Sequence, residues 1–554
     1  MRLNGAGILV EKVLENGVDT VFGYPGGAVL PIYDELYKNS DRLKHIITAH
    51  EQGASFAAEG YARVSGFPGV LIATSGPGAT NVVTGIANAH MDSIPMVVVT
   101  GNVPQSVSGK DSFQEVDIVS ITSSIVKHSY AVKCVEDLPS ILDEAFEIAS
   151  FGRKGPVLID IPKDVQVAEI EYVPVNNEKE KTLYERVYDS TNIDRVLEAI
   201  KNSKRPFIYS GGGVISSGAE ESLKKFAELI DAPVGLSLMG ITALDSDFKL
   251  NLGMCGMHGK YASTTAQDRC DLMIALGVRF SDRATGDLDI YSRNKVIVHV
   301  DIDHAEIEKN VSSKINVVGD LKSVLDRLIS ELEQMDHSEW LEEVETFKEK
   351  EPYQSELELN PMTILQTVGN MTSDDTVVTT DVGQHQMWTT LYYKFKKSRT
   401  LLTSGGLGAM GYGFGAAIGA SIAKGGKETV LITGDGSFAM NLNEFSTAVS
   451  QRLPIVIVVM NNNALGMVKQ WQNMFFGMRY SHTVINRQTD FVKVAEAFGA
   501  SGKRVFTVDE LKDAMKNRKS DGPFLIDCMI SEDIKVFPMV PPGGSAKTLI
   551  LEEA

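Results

Sequence analysis

Cysteine is scarce in this chain of 554 residues. Its four thiols, at positions 134, 255, 270 and 528, show no Cys-x-x-Cys spacing and are too few to staple a chain of this length. Reduced thiols in a cytoplasmic protein are therefore expected. Long apolar runs are missing as well, and none approaches the ~18 uninterrupted residues of a membrane-spanning helix. The start, Met1-Arg2-Leu3-Asn4, lacks the basic-then-apolar pattern of a signal peptide. With a fold motif beginning near Phe22, no transit peptide is expected.

Positive charge is in deficit. Lys and Arg number 53 against 72 Asp and Glu, a net charge of −19 with a pI near 5.1. A field of that sign opposes nucleic acid and anionic membranes, so neither is expected as a partner. An anionic small substrate would need locally placed cations. The one short basic run, Lys394-Phe395-Lys396-Lys397-Ser398-Arg399, reads as a solvated helix end before the next strand. With 43% apolar and 23% charged residues, disordered, collagenous and coiled-coil chains are excluded.

At roughly 150 residues per domain the length implies three or four domains. Two polar, charged segments divide the chain. Residues 169–186 carry Pro174, Asn176-Asn177 and Glu178-Lys179-Glu180-Lys181 and read as a surface linker. Residues 336–360, with Glu-Lys clusters, Pro352 and then Pro361, read as an exposed charged helix followed by a linker. The expected domains are 1–170, 186–335 and 360–535, with a tail over 536–554. Each alternates helical periodicity with short, continuously apolar, β-branched runs such as Val70-Leu71-Ile72-Ala73 and Val430-Leu431-Ile432. Such strands belong to parallel sheets covered on both faces, so three doubly wound α/β domains are expected.

The first and third domains read as two copies of one plan. Gly69-Val70-Leu71-Ile72-Ala73-Thr74-Ser75-Gly76 leads through a helix to Ile94-Pro95-Met96-Val97, and Thr429-Val430-Leu431-Ile432-Thr433-Gly434-Asp435-Gly436 leads to Leu453-Pro454-Ile455-Val456. The glycine-to-proline spacing is 19 (76 to 95) in one and 20 (434 to 454) in the other. Both domains close on the same pattern, Gly155-Pro156-Val157-Leu158-Ile159-Asp160 against Gly522-Pro523-Phe524-Leu525-Ile526-Asp527. Ligands of such sheets bind at the C-terminal strand ends, so two related domains could build one site from facing ends.

The strongest chemical signal is Gly434-Asp435-Gly436-Ser437, followed 27 residues on (435 to 462) by Asn461-Asn462. A glycine-flanked acid at one strand end and an Asn at the next lie on the same sheet edge. One carboxylate and one amide oxygen suit Mg²⁺, which keeps few protein ligands and completes its shell with water and phosphate oxygens. A helix starting near Ser437 could aim its N–H groups at a phosphate.

That pattern is the thiamine diphosphate fingerprint, and over nearly its whole length the chain resembles the catalytic subunits of the acetohydroxyacid synthase (acetolactate synthase) family. The resemblance runs through Phe22-Gly23-Tyr24-Pro25-Gly26-Gly27-Ala28, His50-Glu51-Gln52-Gly53-Ala54, Thr74-Ser75-Gly76-Pro77-Gly78-Ala79-Thr80-Asn81, Phe113-Gln114-Glu115 and Gly466-Met467-Val468-Lys469-Gln470-Trp471. It implies Mg²⁺ ligands at Asp435, Asn462 and the main-chain carbonyl of Ala464. It makes Glu51 the carboxyl group that handles a proton at the pyrimidine ring of the cofactor. Gly434, Gly436, Ser437, Gln384, His385 and Gly408 fall to diphosphate binding, and Met410 to the wedge that bends the cofactor. Gln114 and Gly27 would line the reacting carbon, and Lys163 the channel for an anionic keto acid. Phe113, Met467 and Trp471 would shape the substrate pocket. Met467 and Trp471 lie four apart and share a helix face, where a core pair is the plain alternative.

In the central domain, Gly211 and Gly212 follow the strand-like Pro206-Phe207-Ile208-Tyr209-Ser210, a weak dinucleotide signal outside G-x-G-x-x-G. The stretch Arg279-Phe280-Ser281-Asp282-Arg283 resembles the flavin-binding segment of the family's FAD-dependent members. FAD contacts are then implied at Arg153, Arg279, Arg283 and Asp301, with His258 to Arg279 and Asp301 to Asp320 as binding segments. Such a FAD would be structural, since carboligation involves no net redox change.

The implied activity joins the two-carbon remainder of pyruvate to a second pyruvate or to 2-ketobutyrate, the entry to branched-chain amino acids. The resemblance implies a homodimer with paired sites at its interface, and leaves open a homotetramer, a regulatory small subunit and the preferred acceptor. A pyruvate oxidase-like flavoenzyme, a catabolic acetolactate synthase and a degenerate cofactor-binding scaffold are the alternatives. The segment Val536-Phe537-Pro538-Met539-Val540-Pro541 resembles the family's active-site cover.

Overall fold

Continuous apolar runs of β-branched residues become strands buried on both faces, and the molecule is organised around three sheets built from them. The computed structural model describes residues 1–174, 188–351, 357–485 and 488–552. Each sheet has six strands, all paired in parallel. Gly69–Ala73, Leu272–Leu276, Thr429–Gly434 and Ile455–Asn461 have no exposed residue. With strands numbered in chain order within each sheet, the first and third sheets both run 2-1-3-4-6-5, and the middle sheet runs 3-2-1-4-5-6. The expected duplication is therefore present at the level of topology. The middle order is the doubly wound dinucleotide arrangement, with its crevice where the order reverses between Pro206–Ser210 and Leu272–Leu276.

The cores are shared between domains. Leu71, Val98 and Leu158 of the first sheet belong to one apolar cluster with Phe414, Leu431 and Ile457 of the third. The opposite face of the third sheet, through Val430, Ile432 and Val458, clusters with Ile208, Ile274 and Val298 of the middle one. The tightest seam lies between helices Glu51–Ser65 and Tyr412–Ala423. A Cβ at Gly60 would sit 2.3 Å from the Ala416 carbonyl oxygen, and one at Gly419 only 1.9 Å from that of Ala57. Glycine is required at both because the two backbones touch there.

Three expectations change. Residues Glu169–Glu171 form a strand antiparallel to Arg2–Asn4 rather than the start of a linker; Asn176 to Lys181 lie outside the described residues. The charged helix, Ser338–Lys348, is not free in solvent, because Trp340, Val344 and Phe347 are buried and the Trp340 Nε1–H donates to the Pro206 carbonyl at 3.0 Å. Its apolar stripe at i, i+4, i+7 is masked in the sequence by the charges around it; Pro352 lies outside the described residues. The basic run is likewise not a solvated helix end. Phe395 is buried, Lys394 pairs with Asp247 at 2.9 Å, and Arg399 donates to the carbonyls of Arg63 (3.2 Å) and Ile215 (2.9 Å). It pins the three domains together through partners more than a hundred residues away.

Replacing Gly419 by Ala should overpack the helix seam at a cost of about 1–3 kcal/mol. The expected result is a lower thermal unfolding midpoint; an unchanged midpoint would show that the two backbones are not in contact.

Candidate active site

Parallel pairing of Thr429–Gly434 with Ile455–Asn461, in the register Gly434 opposite Met460, brings Asp435 and Asn462 to the same sheet edge. Asp435 opens a single turn, Asp435–Phe438, in place of the longer helix expected from Ser437. Its Oδ1 is buried without a hydrogen-bond partner, and burial pushes the carboxyl up to about 6. The Asn462 amide donates from Nδ2 to Gln384 Oε1 at 3.3 Å, which turns its Oδ1 the other way; that oxygen accepts from the Ala464 N–H at 3.2 Å. Among the described residues no three His, Cys, Asp or Glu side chains gather as a metal cluster. An orphaned carboxylate oxygen beside an amide oxygen is instead the sparse oxygen set that fits Mg²⁺ with phosphate and water completing the shell.

The neighbouring groups follow from the same edge. His385 is buried, its Nε2 unpartnered and its imidazole pushed down to about 3 by desolvation, so it stands neutral. Gly408 (φ +70°) and Gly411 (φ +83°) give the loop around Met410 its two left-handed bends. Asp92 of the first domain holds that loop by accepting from Gly405 N–H at 3.0 Å and Gly406 N–H at 2.7 Å. The Gly411 N–H donates to Ser437 Oγ at 3.1 Å.

A cavity of about 2180 Å³ runs from this edge to the crevice of the middle sheet. It exceeds the ~300–1,000 Å³ that holds one small ligand and has room for two. On one side it is lined by Gln384, His385, Gly408, Met410, Gly434, Asp435, Gly436, Ser437, Asn462, Ala464, Met467 and Trp471. On the other side are Arg153, Gly212, His258, Arg279, Arg283, Asp301 and Asp320. Gly211 is not on the wall, but a Cβ there would sit 2.1 Å from the Gly277 carbonyl oxygen, so the crevice needs it bare. The guanidinium of Arg279 has no ion pair or hydrogen bond among the described residues, and burial beside Arg153 lowers its pKa. His258 Nδ1 is buried and unpartnered. An anionic dinucleotide would relieve both. Arg153 already pairs with Glu306 at 2.6 Å and Asp303 at 3.4 Å. Asp320 caps helix Leu321–Glu331, and Asp301 accepts from the Asp303 N–H at 2.9 Å. The Arg283 guanidinium lies over the Trp471 indole, 5.5 Å from its centroid, joining the two sides. Met467 and Trp471 share helix Gly466–Phe475 but face the cavity, while Lys469 and Gln470 take its buried side.

Five sequence candidates lie elsewhere. Glu51, Gln114, Gly27, Phe113 and Lys163 are not on the cavity wall; they gather at the C-terminal strand ends of the first sheet. Glu51 begins its helix nearly buried, with Oε2 accepting from Asn81 Nδ2 at 2.9 Å. Its Oε1 faces Gly78, where a Cβ would come to 3.3 Å. Gln114 (φ +60°) packs on Gly76, and Phe113 beside it is 88% exposed. Lys163 starts a helix at the end of strand Pro156–Pro162. Sequence reasoning missed Asp92 and Glu444. The Glu444 carboxylate reaches from the third domain to accept from Ala49 N–H (3.2 Å) and His50 N–H (3.1 Å), directly before Glu51. No local spacing marks either residue.

The duplication explains why only one domain carries the metal motif. Strand registers equate Gly69 with Thr429 and Met96 with Ile455. Ser75 then stands where the third domain has Asp435, and Val103 where it has Asn462. The supporting bond survives in both, Asn102 to Asp160 (2.5 Å) and Asn461 to Asp527 (2.9 Å). The supporting bond is common to both domains, whereas Asp435 and Asn462 have no counterpart of the same type in the first.

Three family models of thiamine pyrophosphate enzymes match the chain: the N-terminal TPP binding domain over residues 3–121, the central domain over 193–328 and the C-terminal TPP binding domain over 381–528. The probable acetolactate synthase large subunit of Methanocaldococcus jannaschii is 44% identical over 99% of this chain and 95% of its own length. The acetolactate synthase isozyme 2 large subunit of Escherichia coli is 41% identical, with 99% of each chain covered. The chloroplastic acetolactate synthase 1 of Nicotiana tabacum is 42% identical over 99% of this chain and 85% of its length.

Asp435→Asn should act in opposite directions on the free and loaded protein. Removing a buried carboxylate whose Oδ1 has no partner among the described residues is expected to stabilise the metal-free protein by about 1–3 kcal/mol. Stabilisation by added Mg²⁺ with thiamine diphosphate should vanish. Thermal midpoints with and without both additions read the two effects.

Proposed function

The chain belongs to the acetolactate synthase large-subunit family of thiamine pyrophosphate enzymes, and on that premise we propose that two copies share paired active sites, each lending what the other lacks. The reaction is a carboligation: pyruvate loses CO₂ and its two-carbon remainder joins a second pyruvate or 2-ketobutyrate, the first common step toward branched-chain amino acids. Thiamine diphosphate, when bound, supplies the electron sink for the loss of CO₂.

This chain's residues do the rest. Asp435, Asn462 and the Ala464 carbonyl hold Mg²⁺ against the diphosphate, and the turn Asp435–Phe438, with Gly434 and Gly436 beside it, admits phosphate oxygens to its N–H groups. Gln384, His385 and Gly408 would complete that cradle, with Met410 as the wedge residue on the same wall. From the partner, Glu51 keeps Oε2 on Asn81 and uses Oε1 to hold a proton at the pyrimidine ring nitrogen. Gln114 and Gly27 flank the reacting carbon, and Lys163 gives the keto acid its local cation. Phe113, Met467 and Trp471 bound the acceptor pocket, where one methylene is worth only about 1–3 kcal/mol, so discrimination between pyruvate and 2-ketobutyrate is a preference rather than an exclusion. FAD occupies the middle crevice in a structural role, on Arg279, Arg153, Arg283, His258, Gly212 and the segment from Asp301 to Asp320. Labour divides as 1–170 for the pyrimidine, 186–335 with its following helix for FAD, and 360–535 for the diphosphate. The large-subunit name of several relatives extends the proposal to a regulatory small subunit, and the four free thiols fit a cytoplasmic setting.

The observation that carries this reading is that the cavity walled by Asp435 and Asn462 does not include Glu51, whose preceding N–H groups at Ala49 and His50 are held by Glu444. Each single variant, Glu51→Gln and Asp435→Asn, should lose nearly all acetolactate formation from pyruvate. Mixed and allowed to exchange subunits, the two should recover about a quarter of the wild-type rate, since half the dimers are mixed and each keeps one of two sites. No recovery would place both groups in one chain's site and overturn the shared arrangement. Product analysis with and without 2-ketobutyrate then reads the acceptor preference.

A further inference from the structure

Three buried amides form a chain that ends on the metal ligand. Gln470 lies on the inward side of helix Gly466–Phe475 and is 2% exposed. It takes both backbone groups of Val536 in the C-terminal tail: its Oε1 accepts from the Val536 N–H at 2.9 Å and its Nε2 donates to the Val536 carbonyl at 3.0 Å. That reciprocal pair leaves the Gln470 amide only one orientation. Its Oε1 also accepts from Gln384 Nε2 at 3.0 Å, and the same Nε2 donates to the Ile534 carbonyl at 3.1 Å. The Gln384 amide is thereby fixed with Oε1 turned to Asn462, whose Nδ2 donates to it at 3.3 Å. An amide has one donating and one accepting end, so each of the three is oriented by the next.

The place where two of these amides meet has been cleared for them. A Cβ at Gly466 would lie 2.0 Å from Gln384 Oε1 and 2.8 Å from Asn462 Nδ2. Any larger residue would push the acceptor away and leave the Asn462 amide held only at Oδ1, which accepts from the Ala464 N–H at 3.2 Å.

We propose that Gln470 is a positioning residue: anchored on the tail at Val536, it holds the Asn462 amide oxygen toward the metal through Gln384. This rests on the reading of Asp435 and Asn462 as Mg²⁺ ligands. Partners that orient a metal ligand are typically worth roughly 10–100-fold in metal affinity. The chain also makes metal binding and tail docking reciprocal, since what each does to the other's free energy is the same quantity.

The test uses the full-length protein and Mn²⁺ binding measured by electron paramagnetic resonance with thiamine diphosphate present, alongside tryptic cleavage after Lys535. Wild type should bind Mn²⁺ and resist cleavage better when both additions are present. Gln470→Leu should weaken Mn²⁺ at least roughly tenfold, with a much smaller change in kcat at saturating metal, and cleavage should no longer respond to the additions. Gly466→Ala, which leaves the Gln470 side chain intact, should weaken Mn²⁺ in the same way; it decides the matter if the first variant does not fold. Unchanged Mn²⁺ affinity in the folded variants, with protection retained, would overturn the proposal while leaving the metal site standing. Loss of Mn²⁺ binding by Asp435→Asn checks the site itself, and its failure in wild type would sink both.

Discussion

Contact between two helix backbones sets what the rest of the molecule can do. Helices Glu51–Ser65 and Tyr412–Ala423 approach so closely that Gly60 and Gly419 admit no side chain. Rigid packing at that density transmits position rather than absorbing it. Glu444 adds a second fixed point by accepting from the two N–H groups just before Glu51. The first domain is thus locked to the third, with Glu51 off the wall of the cavity that Asp435 lines. Glu51 cannot slide into that cavity within its own chain without breaking the seam. On the proposed reading, sharing a site with a second copy is the arrangement that leaves the seam intact.

The duplicated plan shows how one scaffold came to hold two different halves. Both outer sheets run in the same strand order, and both tie an Asn at one strand end to an Asp on the neighbouring strand. The bond is structural, because it satisfies buried polar groups that would otherwise cost about 1–3 kcal/mol each. Ligand capacity depends on two other positions. Where the third domain has Asp435 and Asn462, the first has Ser75 and Val103, neither of which carries a charge to neutralise a cation. Function diverged at the residues a ligand touches, while the strand geometry beneath stayed common.

Much of this was readable from the chain because the signals were local. Continuous apolar strands, glycines at their ends and the 27-residue interval from Asp435 to Asn462 are set by neighbours in sequence. What escaped was decided by distant partners. The basic run at 394–399 looked solvated because Asp245, Asp247 and the carbonyls it meets lie elsewhere in the chain. Helix Ser338–Lys348 looked exposed because only three of its residues are buried. Asp92 and Glu444 matter through backbone N–H groups, and a residue that grips backbone leaves no side-chain pattern to recognise. Gln470 sat inside a recognised motif, yet its role depends on Val536, 66 residues on.

The same long-range contacts explain how one cavity tolerates its own electrostatics. Among the described residues, Asp435 Oδ1, His385 Nε2 and His258 Nδ1 have no protein partner, and the Arg279 guanidinium on the wall of the same cavity has no ion pair. A fold whose parts could rearrange would turn such groups outward or onto one another, since each is costly to leave unsatisfied. Here they stay aimed inward because their neighbours are spoken for: Asn462 by Gln384, the Met410 loop by Asp92, Arg153 by Glu306. The ligands then meet groups already oriented, and the energy of binding is not spent on arranging them. The stability forgone at four polar groups is offset by the shared apolar clusters that join the sheets, so a tight interior and an unsatisfied site are two sides of one design.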